Sequence, residues 1–277
     1  MDDTPSAVAT GAGGRPRRLP TLEVATSQLM IYLRDPDVSD QRVLSLLQLD
    51  VALSSTVLAV ANSPFYGLPR RVESLHQALR VLGFNALCNL IYAATIQRLF
   101  RQGRICSGFD AKCLWYHAST TAAAARRLAL HVGGIDPQQA FLAGLLHDIG
   151  HIVEIQMDRE AYCSVLGQAP EAWLLAERGA FGEDHTRIGA DALRLWRFPD
   201  WAVELVASHH TPVVDAGPEA ALLRVCQLAD SLSAGLPGSF ERDLSPELLG
   251  SRAAALGLTE ALVETVRAQV LLECPVI

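Results

Sequence analysis

The chain has 277 residues, 50% of them hydrophobic and only 19% charged, below the roughly 25% charged content of an average soluble protein. Lys and Arg number 23 against 30 Asp and Glu, a formal net charge of −7, which excludes a general nucleic-acid binder because such domains run basic. At roughly 100–200 residues per domain, the length allows one large domain or two packed subdomains with a sizeable core.

Residues 1–18 are rich in Gly, Ala, Thr, Pro and Arg, lack periodicity and predict a disordered leader with no apolar signal core. Leu22, Leu29 and Leu33 predict a first amphipathic helix that stops at Asp35-Pro36. Ser39 caps a second helix, and a third runs from about Val51 to Ala61, ending at Asn62-Ser63-Pro64. A loop with Gly67 and Pro69 follows, then two helices near 74–82 and 84–101. The stretch between Arg80 and Arg98 is a long uncharged run. It is too short to span a bilayer comfortably and is interrupted by Gly83, Asn85 and Asn89, so it reads as a buried helix, not a membrane segment.

Helices continue in the second half. Alanine-rich 110–131 breaks at Gly133-Gly134, and Asp136-Pro137 opens a helix through Leu146, with proline at its first turn. Others are predicted near 158–168, 170–179, 184–196, 200–210, 218–234, 246–256 and 259–272. No sustained period-two alternation predicts a strand, so the expected fold is all-α. The six cysteines, Cys88, Cys106, Cys113, Cys163, Cys226 and Cys274, contain no C-x-x-C pair. They read as reduced thiols of a cytoplasmic protein.

The chemistry rests on histidine and aspartate. His147-Asp148 closes the apolar run Leu142-Ala143-Gly144-Leu145-Leu146, and burying an ionised aspartate costs several kcal/mol unless a cation or donors compensate it. Mixed imidazole and carboxylate donors suit iron, manganese or zinc. His117, His185, His209, His210 and Asp230 lie on separate predicted helices, the way bundle sites draw single ligands from facing helices. Taken singly, each histidine reads more readily as a hydrogen-bonded core or surface residue than as a ligand. Asp184 reads as a helix cap with His185 exposed in the first turn, and Asp230 as a surface helix end.

The order His117…His147-Asp148…Asp230 resembles the H…HD…D signature of the HD superfamily of metal-dependent phosphohydrolases. That resemblance implies that Asp148 bridges two metals, with His117, His147 and Asp230 on the first and His185, His209 and His210 on the second. Three further segments narrow it: Asp50-Val51-Ala52-Leu53, Val60-Ala61-Asn62-Ser63-Pro64-Phe65-Tyr66-Gly67, and Val72-Glu73-Ser74-Leu75-His76-Gln77-Ala78-Leu79-Arg80-Val81-Leu82-Gly83. With Asp184-His185-Thr186-Arg187-Ile188-Gly189-Ala190 and Trp196, they closely resemble the HDOD domain, a bacterial signalling-output relative, over roughly Leu19 to Asp230. Loop chemistry gives the Asn62–Gly67 segment a structural role: helix-end satisfaction by Asn62 and Ser63, a stop at Pro64, a turn at Gly67, and anchoring by Phe65 and Tyr66.

The resemblance implies two packed helical lobes, the second an HD-type bundle. The expected boundaries are a leader 1–18, an N-terminal lobe 19–105, an HD-like lobe 106–235 and a C-terminal helical extension 236–277. Against the HD-GYP phosphodiesterases the sequence departs at three places. His151 replaces a lysine, Cys113 stands where glutamate is frequent, and Thr211-Pro212-Val213-Val214 replaces Gly-Tyr-Pro. The expected function is therefore a non-catalytic signal-transduction module that binds a partner protein or small ligand, with one or two structural metal ions. The alternative is a metal-dependent phosphohydrolase acting on a nucleotide or other phosphoester, with Asp148 at its centre. DNA binding through helices 39–61 is disfavoured, since Arg42 is their only cation.

Overall fold

The computed structural model describes residues 6–10, 16–35, 37–62, 68–100, 104–106, 109–169, 172–214, 216–234 and 245–273. Its elements in order are β1 (Ser6–Thr10), β2 (Pro16–Pro20), α1 (Val24–Leu33), α2 (Asp40–Leu49), α3 (Val51–Ala61), α4 (Leu75–Leu82) and α5 (Phe84–Leu99). There follow β3 (Arg104–Cys106), β4 (Phe109–Asp110), α6 (Ala111–Val132), α7 (Pro137–Leu146), α8 (Ile149–Met157), α9 (Arg159–Leu166) and α10 (Trp173–Phe181). The chain continues with α11 (His185–Leu195), α12 (Asp200–Ser208), α13 (Pro218–Ser233), α14 (Pro246–Ala254) and α15 (Glu260–Glu273). The fold is all-α in architecture. Among the described residues no single helix is long and apolar enough to cross a membrane.

Helix starts follow the local chemistry of the chain. Ser39, Asp50, Ser74, Asp110, Asp136, Asp158, Asp184 and Ser245 each accept a first-turn backbone N–H with the side chain, satisfying donors that have no partner within the helix. Asn62 closes α3: its amide donates to the carbonyls of Leu58 (2.7 Å) and Val72 (2.8 Å), and its Oδ1 accepts from Val72 N (2.8 Å). This one side chain ties the helix end to the far side of the loop. Residues 63–67, including Pro64, Phe65 and Tyr66, lie outside the described residues, as do 1–5, 11–15 and Cys274.

Three expectations are corrected. Strands do occur: β1 pairs antiparallel with β2, from Ser6 opposite Pro20 to Thr10 opposite Pro16, inside the segment expected to be a disordered leader, and β3 pairs with β4. These ribbons are too short to show period-two alternation. The second correction is α8, missed because Ile149 to Ile155 are all buried, so no polar stripe marks a helical period. The third is a disulfide, Cys106–Cys163, which joins β3 to α9 across 57 residues with a Cα–Cα distance of 5.8 Å. Sequence spacing carries no sign of it, because only the tertiary fold brings β3 against α9, where Arg159 Nε also donates to Ile105 O at 2.8 Å. Closing a loop of this length restricts the unfolded chain, so Cys106→Ser is expected to cost about 4 kcal/mol. Denaturant titration of wild type and variant, with and without reductant, checks this: the two proteins coincide once reduced.

The core continues from the first helices into the second half. Tyr92 of α5 meets Phe198 with ring centroids 4.8 Å apart, Trp196 Nε1 donates to Pro20 O at 2.8 Å, and Arg34 pairs with exposed Asp200 at 2.9 Å. At the centre lies α7, buried on every face from Ala140 to Leu146. It can approach α6 closely because Gly144 has no side chain: a Cβ there would lie 2.7 Å from Ala122 Cα and from Thr121 O. A second close crossing joins α8 to α11, where a Cβ on Gly189 would lie 2.9 Å from Gly150 N. These two crossings position the His147-Asp148 junction.

Candidate metal centre

His147 ends α7 and Asp148 precedes α8, so the pair occupies a kink between two buried helices. His117 comes from the middle of α6, His185 begins α11, His209 and His210 follow α12, and Asp230 lies on α13. The fold brings all seven together. His117, His147, Asp148, His185, His209 and Asp230 are buried, and His210 is exposed at the rim. The plain readings of two positions therefore fail. Asp184 does cap α11, yet His185 is not exposed, and Asp230 sits inside its helix, not at a surface end.

The donors divide into two groups that share Asp148. In the first, His117 Nε2 lies 3.2 Å from His147 Nε2, 3.3 Å from Asp148 Oδ2 and 3.3 Å from Asp230 Oδ1. His147 Nε2 lies 3.1 Å from Asp148 Oδ2 and 3.6 Å from Asp230 Oδ1. In the second, Asp148 Oδ1 lies 3.2 Å from His209 Nε2 and 3.6 Å from His185 Nε2. His185 Nε2 in turn lies 3.3 Å from His209 Nε2 and 3.1 Å from His210 Nε2. A tetrahedral sphere with bonds of roughly 2.0–2.2 Å has edges of about 3.3–3.6 Å, so both groups have the spacing of ligands around an ion.

Hydrogen bonding on the outer ring nitrogens supports this reading. His147 Nδ1 donates to Gly144 O and His209 Nδ1 to Val206 O, both at 2.8 Å. A carbonyl only accepts, so each neutral ring carries its proton outside and turns a bare Nε2 inward. His185 Nδ1 donates to Glu177 Oε2 at 2.9 Å, and the same oxygen accepts the His185 backbone N–H at 2.9 Å. Glu177 thus orients His185 in the manner of a carboxylate behind a metal-bound histidine. Both oxygens of Asp148 and Oδ1 of Asp230 are buried, with the imidazole nitrogens of the cluster as their polar neighbours. Inward lone pairs beside such carboxylates are what a divalent cation neutralises.

The electrostatics of the metal-free cluster follow from the same geometry. Burial would raise Asp148, but the His147 charge and bonds from the surrounding imidazoles hold it well below the usual carboxylate range. Burial likewise opposes Asp230, which His117 and His147 hold low. Burial would lower His147, yet Asp148 and Asp230 lift it well above the usual imidazole value. His185 is pushed well down by burial and by the neighbouring His151, and His210, whose ring packs inward against His185 and His209 although the residue reaches the rim, is lowered to about 3 by desolvation of that ring and by those two imidazoles. His185 and His210 are therefore deprotonated and ready to donate. The first holds a proton that a metal must displace.

Sequence reasoning missed Glu154 and Glu177, and recognised His151 only as a departure from lysine. All three are buried directly behind His185, with the His151 and His185 rings stacked at 4.1 Å. No local signal marks Glu177: it precedes His185 by eight residues on a separate helix, in the ordinary-looking run Ala176-Glu177-Arg178.

The helical fold and the H…HD…D cluster define a protein of the HD kind. The HDOD domain model matches residues 19–212, and the chain belongs to the HDOD family. It is similar to the crystal structure of an HDOD domain protein of unknown function from Geobacter sulfurreducens, with 26% identity, a TM-score of 0.72, and 92% of this chain and 93% of that one covered. It is also similar to the MmoQ response regulator from Methylococcus capsulatus str. Bath, with 25% identity, a TM-score of 0.53, and coverage of 88% and 95%. A protein of Treponema pallidum (strain Nichols) is 26% identical over 210 residues. The match covers 69% of this chain and 37% of that protein, so the chain spans little more than a third of the length of this curated relative.

Proposed function

We propose that this chain is a bacterial signal-transduction output module of the HDOD type that binds a partner protein or small ligand and does not catalyse hydrolysis. His117, His147, Asp148 and Asp230 hold one ion, and Asp148, His185, His209 and His210 hold a second. Iron, manganese and zinc suit this donor set. The ions supply the positive charge that buried Asp148 and Asp230 lack, joining α6, α11, α12, α13 and the α7–α8 junction into one unit.

The observation that carries this reading is the direction of His151. At the position where the HD-GYP resemblance places a phosphate-binding lysine, the imidazole is 3% exposed, and its Nδ1 lies 3.4 Å from Glu154 Oε2 and 3.7 Å from Glu177 Oε1. It faces inward to carboxylates and offers no charge to an incoming phosphoester. A second reading, metal-dependent phosphoester hydrolysis, is favoured by the complete donor set and its opening at exposed His210. In it, the metal would act as a Lewis acid.

Metal analysis of chelator-free protein, followed by a nucleotide and phosphodiester panel on wild type and Asp148→Ala, tests the choice. Bound metal with no turnover in either protein is the expected result. Turnover that disappears in Asp148→Ala establishes the hydrolase instead.

A further inference from the structure

Behind the H…HD…D cluster, between α8, α9 and α10, lies a second concentration of buried polar groups that the proposed function does not use. Glu154 and Glu177 are both 0% exposed, and His151 is 3% exposed. Both carboxylate oxygens of Glu154 and Oε1 of Glu177 are buried without a hydrogen-bond partner. Tyr162, whose ring stands edge-on to His151 with centroids 5.8 Å apart, has a buried hydroxyl in the same condition. Among the described residues neither Glu154 nor Glu177 is paired with Arg or Lys; the ion-pair partners of both are histidines.

Two carboxylates in one dry pocket repel, and an isolated buried charge costs several kcal/mol. Burial, and then their mutual repulsion, pushes Glu154 well above the usual carboxylate range. The pocket therefore takes up either protons or a cation. The His151 Nδ1 to Glu154 Oε2 separation of 3.4 Å and the His151 Nδ1 to Glu177 Oε1 separation of 3.7 Å are close to the donor spacing of the front cluster. Glu177 divides its oxygens: Oε2 faces His185, which leaves Oε1 toward His151.

We propose that His151, Glu154 and Glu177 form a third cation site, separate from the H…HD…D cluster, that takes a divalent ion of the manganese or zinc type. One imidazole with two carboxylates is a borderline-hard donor set that suits these ions. Glu177 then links the two regions, with one oxygen on the inner ion and the other on the ring that faces the outer cluster. The inner site stands on its own donors and does not depend on the front cluster being loaded.

The test uses manganese alone. The full-length chain is stripped with chelator, loaded with Mn²⁺, desalted and analysed for metal. In parallel, the melting temperature is read with and without the ion, and circular dichroism confirms that each variant is folded. Wild type is expected to hold about three equivalents, Glu154→Gln about two, Asp148→Ala about one and the double variant none. Glu154→Gln keeps the shape of the side chain and matches its neutral, protonated form, so its metal-free form melts no lower than wild type, while its Mn²⁺-induced rise is smaller. Equal metal content and equal thermal shift in wild type and Glu154→Gln overturn the inner site. Metal that Asp148→Ala removes completely and Glu154→Gln leaves untouched overturns the inner site alone and leaves the front cluster standing. One equivalent lost only in Glu154→Gln supports the inner site and overturns the front one.

Discussion

Asp148→Ala removes the ions of the front cluster, leaving at most the inner equivalent. Its two oxygens serve different groups, Oδ2 facing His117 and His147, and Oδ1 facing His185 and His209. No other side chain of the cluster reaches both. Disturbing a residue behind a ligand costs 10–100-fold in metal affinity, so loss of the shared ligand itself is expected to cost more than about 100-fold at each position. Competition against a chromophoric chelator reads this directly, and retention of two tightly held ions would refute the shared-ligand arrangement.

The same titration carries a pH signature. In the metal-free protein His147 is held well above the usual imidazole value, so its proton stabilises the fold fully below the unfolded value, and that contribution fades as pH rises through the raised one. Asp148 and Asp230 are held low, so their contribution is present above the ordinary carboxylate range and fades as pH falls through the lowered values. A metal in the first group displaces the His147 proton, and affinity there climbs with pH. His185 and His210 are already lowered, so these two ligands release no comparable proton.

The second large effect is structural. Gly150→Ala is expected to destabilise the protein by about 4 kcal/mol or more, because the added Cβ meets backbone, not a flexible side chain. It would lie 1.9 Å from His185 O, 2.6 Å from His185 C and 2.8 Å from His185 Cα. The only relief is to move the start of α11 away from α8, which carries His185 off Asp148. Stability and metal binding in the second group therefore fall together. Gly179→Ala in α10 is the matched control: nothing lies within 4 Å of its added Cβ, and replacing a mid-helix glycine gains about 0.5–1 kcal/mol. Denaturant titration of both variants checks the pair. A Gly150→Ala protein as stable as wild type would show that the α8–α11 crossing is not close packed.

The glycine also explains why the segment Leu145-Leu146-His147-Asp148-Ile149-Gly150 is readable as a unit. His147 and Asp148 supply donors, and Gly150 supplies the contact that brings a third donor, His185, from another helix. The order of histidines and aspartates was legible in one dimension because each sits near a recognisable helix boundary or apolar run. Their convergence depends on the crossings at Gly144 and Gly150, where the packing partners Ala122 and His185 are remote in sequence.

By itself the sequence determined the helices other than α8, since capping by Ser39, Asp136 and Asp184 is chemistry between neighbours three or fewer residues apart. It also determined the family and the seven candidate ligands. Only the tertiary structure decided that Cys106 and Cys163 meet, that His185 is buried, and that His151 turns inward to two glutamates. Each of these is a contact between elements whose spacing along the chain leaves no periodic or capping signal. Burial there is set by helices packing on helices, and a glutamate such as Glu177 looks like surface in sequence until another helix closes over it.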